Sequence, residues 1–209
     1  MSYAGGMSLP AGDAQLVQIM DACLADAARR AGEWLVCRIG CTQCCHGAFA
    51  INALDAERLR AGMRALQQND PALAAEVERR GSAWIAEHGH DFPGDLQSGT
   101  LGTSKADQEK FERFANDAAC PALDPTTGRC DVYDWRPMTC RVFGPPVRVG
   151  EGDVFGCCEL CFAGASGEQI AACEMLVPHG LETDLLTEVG NEAETVVAFA
   201  LLGRGPHAR

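Results

Sequence analysis

Cys37-Arg-Ile-Gly-Cys41-Thr-Gln-Cys44-Cys45 packs four cysteines into nine residues, a density that a packing role for cysteine does not explain. Its spacing is C-x3-C-x2-C-C. Two further groups lie downstream: Cys120, Cys130 and Cys140, then Cys157, Cys158 and Cys161 in the order C-C-x2-C. A C-x2-C pair lets two thiolates from one tight turn grip the same ion or cluster, and Cys41/Cys44 and Cys158/Cys161 have that spacing. Were the first group helical, Cys37, Cys41 and Cys44 or Cys45 would share one face, but Gly40 makes an unbroken helix a poor expectation. Side chains of adjacent residues diverge, so each doublet is expected to give one thiol to a metal and the other to a second metal, a reserve role or the core.

The compartment decides how such thiols are read. The start of the chain, Met1 to Pro10, has neither the basic residues nor the apolar run of a secretory signal, and no window approaches the roughly 20 apolar residues of a membrane span. The expectation is therefore a cytoplasmic protein whose thiols stay reduced and serve as metal ligands or redox groups. With 209 residues the chain is long enough to bury a core without disulfides, so its 12 cysteines are free for chemistry. A net charge of −12 argues against nucleic acid and anionic membranes as partners, since both need a cationic surface. A protein or peptide partner stays open.

Around the cysteines, apolar periodicity predicts helices. Residues 13–36 carry Leu16, Met20, Cys23, Leu24 and Ala27 at steps of three and four, which puts Cys23 on an apolar face. Asn52 caps a helix with Leu59, Met63 and Leu66 in one buried stripe, and Pro71 behind Asp70 starts a third over 71–88. Residues 89–104 read as a loop leading to Ser104, the cap of a polar helix reaching about Asn116. Pro125-Thr-Thr-Gly128 is turn chemistry. A short helix holds Pro137 in its first turn, carries Cys140 and Arg141, and stops at Gly144-Pro145-Pro146. Val147 to Phe155 suggests a hairpin around Gly150-Glu-Gly152. Ile170, Cys173 and Val177 mark one further helix face; Leu185, Val189, Val196, Val197 and Ala200 mark another.

The expected fold is mainly α (α+β): one small helical domain over 1–209, with irregular Cys-rich loops and a short β-hairpin around a metal site. The cysteine core would span 35–165, an N-terminal helix 11–34 and the C-terminal helices 166–203. Cys23 and Cys173 are expected in the apolar core. The ten candidate metal ligands are Cys37, Cys41, Cys44, Cys45, Cys120, Cys130, Cys140, Cys157, Cys158 and Cys161. Soft thiolates favour iron or zinc over magnesium or calcium. Ten exceed the four that one tetrahedral ion or cubane needs, so either a polynuclear site or one site with flanking redox thiols is implied. The expected cofactor is an iron–sulfur cluster of the 4Fe–4S kind, or iron, with zinc as the alternative.

Cys37 to Cys45, followed by Cys120-Pro-Ala-Leu-Asp and by Gly128-Arg-Cys130-Asp-Val-Tyr133-Asp-Trp-Arg136-Pro137-Met-Thr-Cys140-Arg141, resembles the cysteine-cluster family called CxxCxxCC or YkgJ, described as chelating zinc or iron. The resemblance covers roughly residues 35–165. It implies a metal-bound cysteine site in a small, largely helical fold, without an assigned reaction. It also makes the chain distantly similar to flagellin lysine-N-methylase, which pairs such a cluster with S-adenosylmethionine; no Gly-rich strand-to-helix loop of a Rossmann-type methyltransferase is present here.

Arg136 and Arg141 flank Cys140, where a cation would favour ionised thiols, and Tyr133 could donate to a sulfur or a substrate. These three are the candidate cofactor-binding residues, with ordinary ion pairing and core packing as their alternative roles. His46 lies one residue too late for covalent haem. His88, His90, His179 and His207 are expected at the surface. A thioredoxin-like reading of Cys41-Thr-Gln-Cys44 lacks its βαβ context. Two function classes remain: a metal carrier or sensor, and a metal-dependent enzyme, either redox or modifying a peptide with S-adenosylmethionine.

Overall fold

In a computed structural model, which describes residues 9–148 and 155–207, the chain is mainly α. The helices are α1 (Asp13–Ala31), α2 (Ala53–Asn69), α3 (Pro71–His88), α4 (Lys105–Phe111), α5 (Met138–Val142), α6 (Gly167–Ala172), α7 (His179–Val189) and α8 (Val197–Leu201). Three antiparallel two-residue pairs complete it: β1 (Gly94–Asp95) with β2 (Thr100–Leu101), β3 (Leu123–Asp124) with β4 (Arg129–Cys130), and β5 (Val147–Arg148) with β6 (Phe155–Gly156). The β5–β6 pair answers the expected hairpin; its tip, Gly150-Glu-Gly152, lies outside the described residues. The expected loop at 89–104 contains the β1–β2 pair.

Helix α2 is the centre of the fold. The Asn52 side chain accepts the Asp55 N–H at its start, and Asp70, which ends it, caps α3 by accepting the Leu73 N–H with Pro71 in the first turn. One face, Ala56, Leu59 and Met63, packs with α3 and α8 through Ala74, Val77, Ala200 and Leu201. The opposite side, Ala53 and Leu54, packs with Leu16 and Met20 of α1 and Leu185 of α7. The single buried stripe expected of α2 is thus replaced by burial on every side of its first turns. Its charged residues are paired inside: Arg58 with Asp13 and Asp55, Arg60 with Glu57 and the carbonyls of Arg204 and Pro206. Pairing is what makes such burial tolerable, since loss of one buried partner costs about 3–5 kcal/mol.

The C-terminal region differs from the periodic reading. The α7 helix ends at Gly190 in the left-handed conformation (φ 66°), so Leu185 and Val189 belong to one helix and Val197 and Ala200 to another. Likewise α6 stops at Ala172, and Val177 lies beyond it. The Ser104 side chain and Asp107 form a reciprocal cap, and the helix they open is short, with turns from Glu112 to Asn116.

Candidate metal centre

The Cys37–Cys45 segment is not helical: Gly40 takes φ 88°, and only Gln43–Cys45 forms a single 3-10 turn. This bend turns the chain between Cys37 and Cys41. The tip of the β3–β4 turn packs on it, so that a Cβ at Gly128 would stand 3.1 Å from Gly40 Cα.

The inner group is Cys44, Cys45, Cys120, Cys130 and Cys140. Backbone pairing assembles it: Cys120 N–H donates to the Cys45 carbonyl at 2.7 Å, and Gly47 N–H donates to Ala118. Leu123 N–H donates to the Cys120 carbonyl and pairs across the hairpin with Cys130. Arg80 of α3 holds this hairpin through the Leu123 carbonyl and Asp131. Cys140 arrives on α5, whose Met138 N–H donates to Asp55 Oδ1 at 2.9 Å. Asp55 is therefore a positioning residue; its place three after Asn52 signalled only a helix cap.

Burial is the main force on these thiols. It pushes Cys120 up to about 12 and raises Cys130 and Cys140, with further rises from neighbouring cysteines. Cys44 goes the other way, down to about 6, because Cys45 donates a hydrogen bond to its sulfur and Arg136 and His46 add positive potential. That same hydrogen bond raises Cys45.

The outer group is Cys37, Cys41, Cys157, Cys158 and Cys161. Cys37 Sγ lies 3.9 Å from Cys161 Sγ. Cys158 N–H donates to the Gly144 carbonyl, where an added Cβ would be 3.1 Å from Cys37 Sγ, and Cys161 N–H donates back to the Cys158 carbonyl. Cys158 and Cys161 are buried, whereas Cys37 and Cys157 are exposed. Burial, then the charge of Cys161, pushes Cys37 up to about 12. Cys41 adds its charge at Cys37, and Cys44 at Cys120, Cys130 and Cys140; Cys158 and Cys161 share one closed turn.

The two flanking arginines meet on one carboxylate. The Arg136 guanidinium lies 3.9 Å over the Tyr133 ring, donates to the Tyr133 carbonyl, stands 3.6 Å from Asp21 Oδ1, and supplies positive potential at Cys44 and Cys130. Arg141 is buried and held by Asp21 at 2.8 Å and by the Asp134 carbonyl, the ordinary ion pair weighed as its alternative role. Tyr133 is exposed. His46 and His90 are exposed, His88 packs edge-on against Trp84, and His207 meets the buried Glu57 at 3.3 Å; the His179 side chain lies outside the described residues. Cys173 is buried, in the same apolar cluster as Cys158 and Cys161, and Cys23 packs half-buried against the α1 cluster.

Among the described residues no three Cys, His, Asp or Glu side chains close tightly enough to hold an ion as they stand. Neutral thiols have no attraction that would draw them together, and metal binding supplies it by displacing their protons. The donor set fits a thiophilic metal: two groups of soft ligands, one beside a cation. No described helix is long and apolar enough to cross a membrane. No curated protein and no solved structure matches the chain. A sequence model of the CxxCxxCC family, described as a "Putative zinc- or iron-chelating domain", matches residues 36–161, a span that holds all ten clustered cysteines, and the chain belongs to that family.

Proposed function

We propose that the chain binds an iron–sulfur cluster through thiolates of its inner group, Cys44, Cys120, Cys130 and Cys140. The observation that carries this reading is that backbone pairing joins the Cys44–Cys45 turn to Cys120 and the Cys130 hairpin, while Asp55 seats α5 and its Cys140, which feels the charge of Cys120, Cys130 and Cys44. Bound there, such a cluster supplies one-electron exchange at a potential set by burial and local charge. Arg136 offsets the negative charge of the thiolates, and Asp55 holds α5, and with it Cys140, in place. A cytoplasmic setting, where thiols stay reduced, belongs to the same proposal.

The test is purification without oxygen, followed by iron, zinc and acid-labile sulfide per chain and a visible spectrum. Iron and sulfide in similar amounts, lost in Cys120→Ser and Cys140→Ser, are expected. A colourless protein with zinc and no sulfide would overturn the cluster.

One observation favours a catalytic role for the same centre, redox or S-adenosylmethionine-dependent modification of a peptide. An open groove of about 830 Å³ reaches Cys120, with Arg79, Trp84, His88, Arg113 and Asp117 among its walls. Arg136, Arg141 and Tyr133 do not line it. Protection of Trp84 fluorescence from quenching by a bound peptide would support this role; no peptide binding at any cluster occupancy would remove it.

A further inference from the structure

The ten clustered cysteines outnumber the ligands of one centre, and Cys37 Sγ meets Cys161 Sγ, while Cys45 and Cys120 are joined through the backbone. We infer that Cys37, Cys41, Cys158 and Cys161 form a second metal site, separate from the inner group, that holds one zinc-class ion in four-sulfur coordination. This rests on the reading that the clustered thiols bind metal, and assigns the outer ones a different occupant from the inner ones.

Distance is the first ground. Around a tetrahedral ion with metal–sulfur bonds of about 2.3 Å, ligand sulfurs stand about 3.8 Å apart. Cys37 Sγ and Cys161 Sγ stand 3.9 Å apart, one edge of that tetrahedron, although 124 positions separate them in the chain. The second ground is how that edge is held. Phe162 N–H donates to the Trp34 carbonyl and Cys158 N–H to the Gly144 carbonyl, so the C-x2-C turn is tied on both sides to the segments that flank Cys37. Gly144 leaves room for the Cys37 sulfur where a side chain would press on it at 3.1 Å.

The turn itself supplies the third ligand. Cys158 and Cys161 are both buried on one C-x2-C turn, closed by Cys161 N–H to the Cys158 carbonyl. Cys41 stands a turn away from Cys37, its N–H donating to the Arg38 carbonyl. Cys157, exposed and diverging from Cys158, is the spare thiol. Occupation by a zinc-class ion displaces one proton from each of the four thiols that bind, leaves the metal's oxidation state unchanged, and requires the Cys37–Cys41 turn to close on the Cys158–Cys161 turn.

Exposure sets the contrast with the inner group. Cys37 is exposed, and Ile39 in the same turn is 81% exposed. Cys158 and Cys161 are buried, so the outer ligands run from buried to exposed, whereas Cys44, Cys120, Cys130 and Cys140 are all half-buried.

Cobalt(II) is the probe, titrated anaerobically into the reduced full chain, because its four-thiolate complexes have intense tetrahedral d–d and sulfur-to-metal bands. In Cys120→Ser/Cys140→Ser these bands should persist at about one cobalt per chain, while acid-labile sulfide is lost. In Cys158→Ser/Cys161→Ser the bands should vanish, while sulfide remains. Cys37→Ser, at an exposed position that does not threaten folding, should weaken cobalt binding at least tenfold, and Cys37→His should restore it with shifted bands. Loss of the bands in both double variants, or their survival in both, would overturn a separate outer site. Absence of sulfide in the unsubstituted chain would sink the inner cluster alone, since Cys120→Ser/Cys140→Ser leaves the inner group too few thiols for a four-sulfur complex and still reads the outer site.

Discussion

Cys44 and Cys120 are thiols of one group with opposite acidities. Cys44 is drawn to about 6 by the hydrogen bond from Cys45, with Arg136 and His46 adding to it, and Cys120 is pushed to about 12 by burial, against an ordinary value of 9.0. The consequence is a pH profile for the metal-free protein. Between about pH 6 and 9 the folded chain has lost the Cys44 proton that the unfolded chain keeps, so stability rises with pH. Above 9 the folded chain retains protons on Cys37 and Cys120 that the unfolded chain loses, so stability falls toward 12. Denaturant midpoints measured with reductant and chelator at about pH 7, 9 and 11 should therefore peak at the middle value. Cys44→Ser should abolish the rise and leave the fall; a midpoint that climbs through to the highest pH would contradict this assignment. Metal loading should flatten the profile, because the bound thiolates have already given up their protons. None of this acidity pattern was legible in the motif, since C-x3-C-x2-C-C specifies spacing and not which sulfur faces a cation.

Among the elements, the contact of α2 with the turn Tyr133–Trp135 is the tightest constraint on the inner group. A Cβ at Gly62 would stand 2.8 Å from Trp135 Cβ and Cγ, and Trp135 precedes Arg136 in the segment joining Cys130 to Cys140. Helix propensity alone favours Gly62→Ala by about 1 kcal/mol. Overpacking costs about 1–3 kcal/mol, and Trp135 cannot retreat without moving Arg136. The expected outcome is net destabilisation by about 1 kcal/mol together with faster loss of metal to a chelator. Gly81→Ala in α3 is the control: there a Cβ meets the flexible Leu202 side chain at 3.4 Å, so stability should hold or rise. Unchanged metal release in Gly62→Ala would separate α2 from the centre. Helices α2 and α3 were legible to the residue at their starts, because Asn52, Asp70 and Pro71 carry local capping signals that need no tertiary partner. The break between α7 and α8 was not, because apolar spacing from Leu185 to Ala200 continues in phase through the left-handed Gly190.

Across the whole molecule, the cores of α2, α3 and α8 are largely distinct from the inner cysteine group, whereas Cys158 and Cys161 sit in an apolar cluster with Ala31 and Cys173. The cores around Leu59, Val77 and Leu201 and around Trp84, Phe92 and Phe199 contain no candidate ligand; Cys120 and Cys130 only border the first of them. Stripping metal with a chelator should therefore leave most of the far-ultraviolet helical signal, while amides of about residues 37–48, 118–148 and 155–161 lose protection from hydrogen exchange before those of α2 and α3. Collapse of the helical signal at the same chelator concentration would show that metal holds the whole fold. The sequence by itself determined the thiol-rich chemistry, the mainly α class, the capped helices and the family, since each depends on residue types at short spacing. Only the tertiary structure decided that Arg136 and Arg141 meet on Asp21 with Arg136 also beside Cys44, and that Asp55 seats α5. Those outcomes depend on which distant segments meet, and long-range pairing such as Cys45 with Cys120 or Cys37 with Cys161 leaves no local mark in the order of residues.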